Sequence, residues 1–267
     1  MKYFAPPSSR SIISVTGDDA HAFLQNMITN DMDLLQNQNS IYAALLTPQG
    51  KIISTFFVVT NPDNGFFLDC PTGAFETLLK RLTMFRLRAD VQLTDISDRF
   101  QVMQSLQAGA YICFADPRNE AVGFRSFTPI DTEKSSNNQE SLRFKLILAE
   151  QDIDYQSSEV FPSDINMDLQ NGIAWKKGCY VGQEVVSRMK RRGNIRKRTI
   201  LAEFAGQAPD PGSEIVAGKT KLGHILSSAG SLALAIIRTD RLAKVETEEI
   251  TANDQVLTIT LPKEMPK

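Results

Sequence analysis

The 267-residue chain reads as an α+β protein that ends in a small β-barrel, and two features carry that reading. The first is a helical stretch set among antiparallel strand signals after a hairpin, which argues against a doubly wound parallel sheet. The second is the last third, where short β-rich segments are broken by Gly or Pro, the spacing of a small barrel or sandwich. The division falls between residues 1–193, two intertwined α+β subdomains, and residues 194–267, the barrel.

The elements follow in order. Residues 11–15 alternate as a short strand, and Thr16-Gly17-Asp18 is a turn and N-cap. In the helix after it, Phe23, Leu24, Met27 and Ile28 share one face, His21 lies on the polar side, and Asn30 is the expected C-cap. Residues 40–46 and 51–60 are strands around Thr47-Pro48-Gln49-Gly50, a hairpin signal, and residues 66–70 are a third strand with Cys70 in the core. Residues 75–85 form an amphipathic helix through Phe75, Leu78, Leu79 and Leu82, leading to a strand at 91–94. Residues 100–106 and 111–114 are short strands, with Cys113 expected inside, and Asp116-Pro117-Arg118 is a turn. Residues 132–141 are polar and predict a mobile loop. Later strands are expected at 199–205, 214–216, 221–228, 232–238 and 256–261.

Composition bounds the function. A net charge of -2 and a pI near 5.8 argue against a general nucleic-acid binder. Three cysteines at wide spacing offer neither a disulfide framework nor a zinc motif and fit a reducing cytoplasm. Two histidines in unrelated contexts argue against a His-based metal site or triad. The start lacks a long apolar region, so no secretory signal is expected, and no run of about 20 apolar residues predicts a membrane span.

Against that acidic background, residues 175–198 (WKKGCYVGQEVVSRMKRRGNIRKR) hold nine Lys or Arg and one acid, Glu184. A helix is expected after Gly182, with Val185, Val186 and Met189 as its apolar stripe, a Glu184–Arg188 pair, and Gly193 at its end. Cys179 precedes it, flanked by Lys176, Lys177 and Gly178. Helix N–H groups and nearby cations favour thiolate, which makes Cys179 a candidate nucleophile, soft metal ligand or redox handle. A buried cysteine capping a helix carries equal weight. The basic run is equally a solvated helix face or a phosphate-binding patch.

Lys177, Gly178, Cys179, Tyr180, Gly182, Gln183, Glu184 and Arg188 together resemble the signature of the YgfZ family, folate-binding proteins related to iron–sulfur metabolism and similar in fold to the glycine-cleavage T-protein, an aminomethyltransferase. Thr29-Asn30-Asp31, residues 46–51, residues 81–91, Asp116-Pro117-Arg118 and Phe161-Pro162 follow in the family's order. The resemblance implies pseudo-symmetric GcvT-like folate-binding domains around a central opening, plus the C-terminal β-barrel. It implies tetrahydrofolate or a related folate as cofactor, with Asn30, Asp31, Lys51 and Arg188 as binding residues. Arg188 is expected at the pocket rim, and Lys190 and Arg191 toward solvent or a partner. Iron–sulfur assembly proteins or client iron–sulfur enzymes, tRNA-modifying ones included, are the implied partners, in the cytoplasm. No permanently bound metal is expected, since one cysteine cannot supply the four thiolates a cluster usually takes.

Two departures from the family shape the functional reading. Where the aminomethyltransferase has an acidic pair, this chain has Ser54-Thr55, so that activity is not expected. Where some relatives clasp folate with tryptophans, this chain has only Trp175, with Arg10 and Leu142 at the rough counterparts. An accessory role toward iron–sulfur enzymes therefore ranks first. A folate-dependent one-carbon transferase or demethylase, which would need Asp31 or Glu184 as its carboxylate, ranks second. An RNA-binding module using residues 190–198 ranks last, because the run has no interleaved aromatics.

Overall fold

A computed structural model describes residues 2–135, 140–193, 195–245 and 248–263. Its first sheet joins β1 (Arg10–Thr16), β2 (Ser40–Leu46), β3 (Ile52–Thr60), β4 (Phe66–Pro71) and β5 (Gln92–Asp95) in the order β2-β3-β4-β1-β5, every pair antiparallel. Strands β2 and β3 bury both faces, which is why they read as nearly unbroken apolar runs. Along β2, Ile41, Ala43 and Leu45 enter one core, and Tyr42, Ala44 and Leu46 enter another, as the two-residue repeat of a strand requires. Helices α1 (Ala20–Met27) and α2 (Thr72–Arg86) close the first core with Phe23, Leu24, Phe75, Leu78 and Leu82.

The second core lies against a three-stranded sheet of β6 (Gln101–Ser105), β7 (Ile112–Ala115) and β8 (Phe124–Thr128), ordered β6-β8-β7. Cys113 was expected to be buried but is only half-buried, because β7 is an edge strand paired with β8 alone. Of the expected loop at 132–141, residues 136–139 lie outside the described residues. Glu140 and Ser141 belong instead to α3 (Glu140–Lys145), whose Phe144 is buried.

After α4 (Gln183–Arg191) come β9 (Lys197–Phe204), β10 (Glu214–Ala217), β11 (Thr220–Ala229), β12 (Leu232–Arg238), α5 (Thr239–Leu242), β13 (Ile250–Ala252) and β14 (Gln255–Thr260). The six strands close into the expected barrel, in the order β10-β11-β12-β9-β14-β13. The sequence reading missed α5 and β13, which are too short to show a periodicity. Barrel and α+β region are fastened together. Arg198 grips Asp168 at 2.5 and 2.9 Å, Asn166 donates to the Thr199 carbonyl at 2.8 Å, and Arg143 bridges Asp154 and the Ser227 hydroxyl at 2.5 and 3.1 Å. Burial pushes the Asp154 carboxyl above its ordinary range despite Arg143.

Candidate functional site

Cys179 is exposed, on a loop braced from both sides. The Lys177 ammonium before it donates to three backbone carbonyls, those of Gln25, Ile28 and Asn30, at 2.6, 2.9 and 2.7 Å. After it, Tyr180 is buried in the core, its ring centroid 5.4 Å from the Lys177 nitrogen. Burial pushes the Tyr180 hydroxyl up to about 12. Burial likewise lowers Lys177 to about 8, with Asp31 and Asp33 pulling the other way. Gln183 ties the loop once more, its side-chain amide donating to the Gly178 carbonyl at 3.2 Å.

The surrounding motifs converge on this loop. Thr29 donates its hydroxyl to the Gly172 carbonyl at 2.7 Å and accepts from the Ala44 amide at 2.9 Å. Asn30 was expected to cap α1, but α1 ends at Ile28 in extended conformation. The buried Asn30 side chain instead donates to the carbonyls of Tyr42, on the edge strand β2, and of Asn171, both at 2.7 Å, because a side-chain amide has two protons to give to such oxygens. Asp31 caps the following 3-10 turn and holds Gln25 at 2.8 Å. Gly182 has φ +81° and lies so close to the hairpin turn that a Cβ there would sit 2.6 Å from the Thr47 carbonyl oxygen. A glycine is therefore required to seat α4 on residues 47–50.

The expected Glu184–Arg188 pair forms at 2.5 Å on the exposed face of α4. The three protons of the Lys177 ammonium are directed to carbonyls left open around the end of α1 and not to the thiol. Lys190 is exposed, as expected, and its ammonium also stands 3.8 Å over the Trp175 ring, where the negative face of the indole attracts it. Lys176, Arg191, Arg192 and Lys197 have no ion pair among the described residues.

A second charged cluster, which the sequence reading missed, sits between the two sheets. Asp69 on β4 accepts from Arg10 at 2.6 Å and from Arg125 on β8 at 2.9 and 3.0 Å. Arg118 donates to Asp116 at 2.8 and 3.0 Å and to Glu150 at 2.6 Å. All six side chains are buried, three cations against three anions, and the three guanidiniums surround the Phe57 ring at 4.3 to 5.8 Å. Burial pushes Glu150 up, but Arg118, Arg10 and Arg125 more than offset it and hold it at about 2. Charged residues inside apolar strands, Asp69 in FFLDCP and Arg125 in FRSFT, were the available signal.

The residues expected to bind folate are not gathered around this centre. Asn30 and Asp31 lie at the Lys177 clamp, the Lys51 ammonium is 6.0 Å from the Phe161 ring centroid, and Arg188 is on α4. The cavity beside the cluster is lined by Arg118, Glu150, Gln104, Leu142 and Arg143 among others, and holds about 20 Å³. That is room for about one water. Ser54 and Thr55 are buried, with the Thr55 hydroxyl 3.1 Å from that of Tyr155. No group of three or more His, Cys, Asp or Glu among the described residues is placed to hold a metal.

Residues 8–130 match the GCVT N-terminal domain family, and residues 196–267 match the CAF17 C-terminal β-barrel domain family. The chain is 28% identical over 233 residues to the mitochondrial iron–sulfur cluster assembly factor IBA57 homolog of Mycosarcoma maydis, covering 76% of this chain and 58% of the relative. It is 32% identical over 238 residues to that of Neurospora crassa, covering 76% and 54%. It thus spans a little over half the length of these relatives. A solved structure, the glycine cleavage system aminomethyltransferase T of Bartonella henselae, shares the fold with a TM-score of 0.72 at 14% identity, over 95% of this chain and 83% of that one. The cysteine motif pointed to YgfZ, a related family; the relatives found are IBA57 factors. The cytoplasmic expectation is overturned, because those relatives are named as mitochondrial; free thiols require only a reducing compartment, and composition cannot say which. The chain thus joins a GcvT-like region, similar to the GCVT N-terminal domain family over residues 8–130, to a six-stranded barrel similar to the CAF17 C-terminal β-barrel domain family over residues 196–267.

Proposed function

We propose that this chain acts in iron–sulfur cluster assembly, in the mitochondrial setting of its relatives, with Cys179 as the thiol that meets the cluster. The observation that carries the reading is the placement of Cys179: the exposed one of three free cysteines, on a loop held at both ends, in a basic segment whose Lys176 has no ion pair among the described residues. A thiolate-ligated cluster is anionic, and such a rim favours it. One cysteine supplies one ligand of the usual four, so the cluster is cargo shared with a partner's thiolates. The ligand exchange is simple: the Cys179 thiolate bonds to iron, one donor thiolate leaves, and it takes up the proton Cys179 released. The clients would be enzymes that need such clusters, tRNA-modifying ones among them.

The test uses a glutathione-ligated [2Fe–2S] complex as donor under anaerobic conditions. The expected result is a visible absorption and circular dichroism signal that co-elutes with the wild-type protein and is lost in Cys179→Ser. Equal signals from both proteins, or none from either, would reject Cys179 as the cluster thiol.

A further inference from the structure

We propose that Lys177 is the positioning residue for Cys179, a cation whose three-way grip on carbonyl oxygens fixes the loop that presents the sulfur. This rests on the reading of Cys179 given above. The loop runs between two anchors. On one side Lys177 is held by the Gln25, Ile28 and Asn30 carbonyls, and on the other Tyr180 is held in the core. Only Gly178 and Cys179 stand between them, both exposed, and a Cβ on Gly178 would meet nothing within 4 Å. The geometry forces the pair outward.

The chemistry of the grip selects lysine. An ammonium is a point with three protons, and three oxygens converge on it here. A guanidinium has its donors in one plane and cannot face all three at once. A neutral side chain would leave three partly buried carbonyls without donors. Asp31 and Asp33 are near enough to act on the Lys177 charge, yet no ion pair with either forms within 4 Å; the ammonium is turned to the backbone instead. Its neighbour Lys176 is exposed and has no ion pair among the described residues, which makes it the matched control. The grip also connects distant segments, since the three carbonyls lie about 150 positions earlier in the chain.

Trp175, the single tryptophan, is a built-in reporter two residues before Lys177. The experiment compares wild type, Lys177→Met, Lys177→Arg and Lys176→Met by amide hydrogen exchange and by acrylamide quenching of Trp175. In Lys177→Met, amides in residues 25–30 and 175–182 are expected to exchange about tenfold faster, with stronger quenching and unchanged exchange in the barrel. Lys177→Arg is expected to fall between wild type and Met, and Lys176→Met to match wild type. With the glutathione-ligated donor, Lys177→Met is expected to lose at least about fivefold of the cluster signal while Cys179 still alkylates. Wild-type exchange and quenching in Lys177→Met, or Arg as perturbed as Met, would overturn the proposal. If Lys177→Met does not fold, the Arg variant decides: no local increase in its exchange counts against the three-way grip. Absence of a cluster signal in wild type rejects the cargo reading alone, because the exchange and quenching results do not depend on it.

Discussion

Two regions of this protein are dense in charge, and they are built in opposite ways. The cluster between the sheets closes three arginines on three carboxylates, buries all six and leaves a cavity of about 20 Å³. The segment from Trp175 to Arg198 holds an exposed thiol and several cations at the surface that have no ion pair among the described residues. Pairing and burial turn charge into a fastening, because a buried ion without its partner is strongly disfavoured. Exposure without pairing leaves charge available to an approaching molecule. The same residue types therefore serve cohesion at the centre and contact at the rim.

The sharpest way to break the comparison is to remove Asp69, which holds Arg10 and Arg125 together. Asp69→Ala is expected to lose about 3–5 kcal/mol in urea unfolding, since two buried guanidiniums lose their anion. A loss under about 1 kcal/mol would mean the cluster does not hold the sheets.

Acid should reach the centre through Glu150. Its folded pKa, about 2, lies below its unfolded value, so the unfolded chain binds more protons between the two. The contribution is present above the unfolded value of about 4.3 and fades as pH falls toward 2, by about 3 kcal/mol in all. Asp154 and Asp164, both raised by burial, act in the opposite sense. The stability gap between wild type and Glu150→Gln should therefore narrow from pH 6 to pH 3. A constant gap would show that Glu150 does not titrate as placed.

Thiol labelling sharpens the contrast kinetically. Cys70 is buried, its thiol pushed up to about 12 by burial and donating to the Ser11 carbonyl at 3.6 Å, whereas Cys179 is exposed. Iodoacetamide should modify Cys179 first, Cys113 next and Cys70 at least about a hundredfold more slowly than Cys179. Comparable rates would erase the distinction between rim and core.

The smallest effect belongs to Arg188→Ala. Its pair with Glu184 matches the buried ones in length, but both side chains are more than half exposed. Solvent screens it, and the melt should move by no more than about 0.5 kcal/mol. A larger loss would mean that Arg188 contacts more than Glu184.

The sequence alone determined the elements that local pattern controls. The apolar runs of β2 and β3, the stripe through Phe75, Leu78 and Leu82, the hairpin at 47–50 and the barrel strands other than β13 all follow from neighbours within a few residues, where periodicity is visible. It also singled out Cys179 and the Glu184–Arg188 pair, because both sit in one contiguous motif. Only the tertiary structure decided which charges meet. Asp69 and Arg125 are 56 positions apart, and Lys177 and Asn30 are 147 apart. Nothing local tells a lysine whether it will face a thiol, an indole or three carbonyls. Lys177 and Lys190 look alike in the sequence, and the fold gives one to the backbone and the other to Trp175 because each goes to the nearest acceptor that packing leaves open.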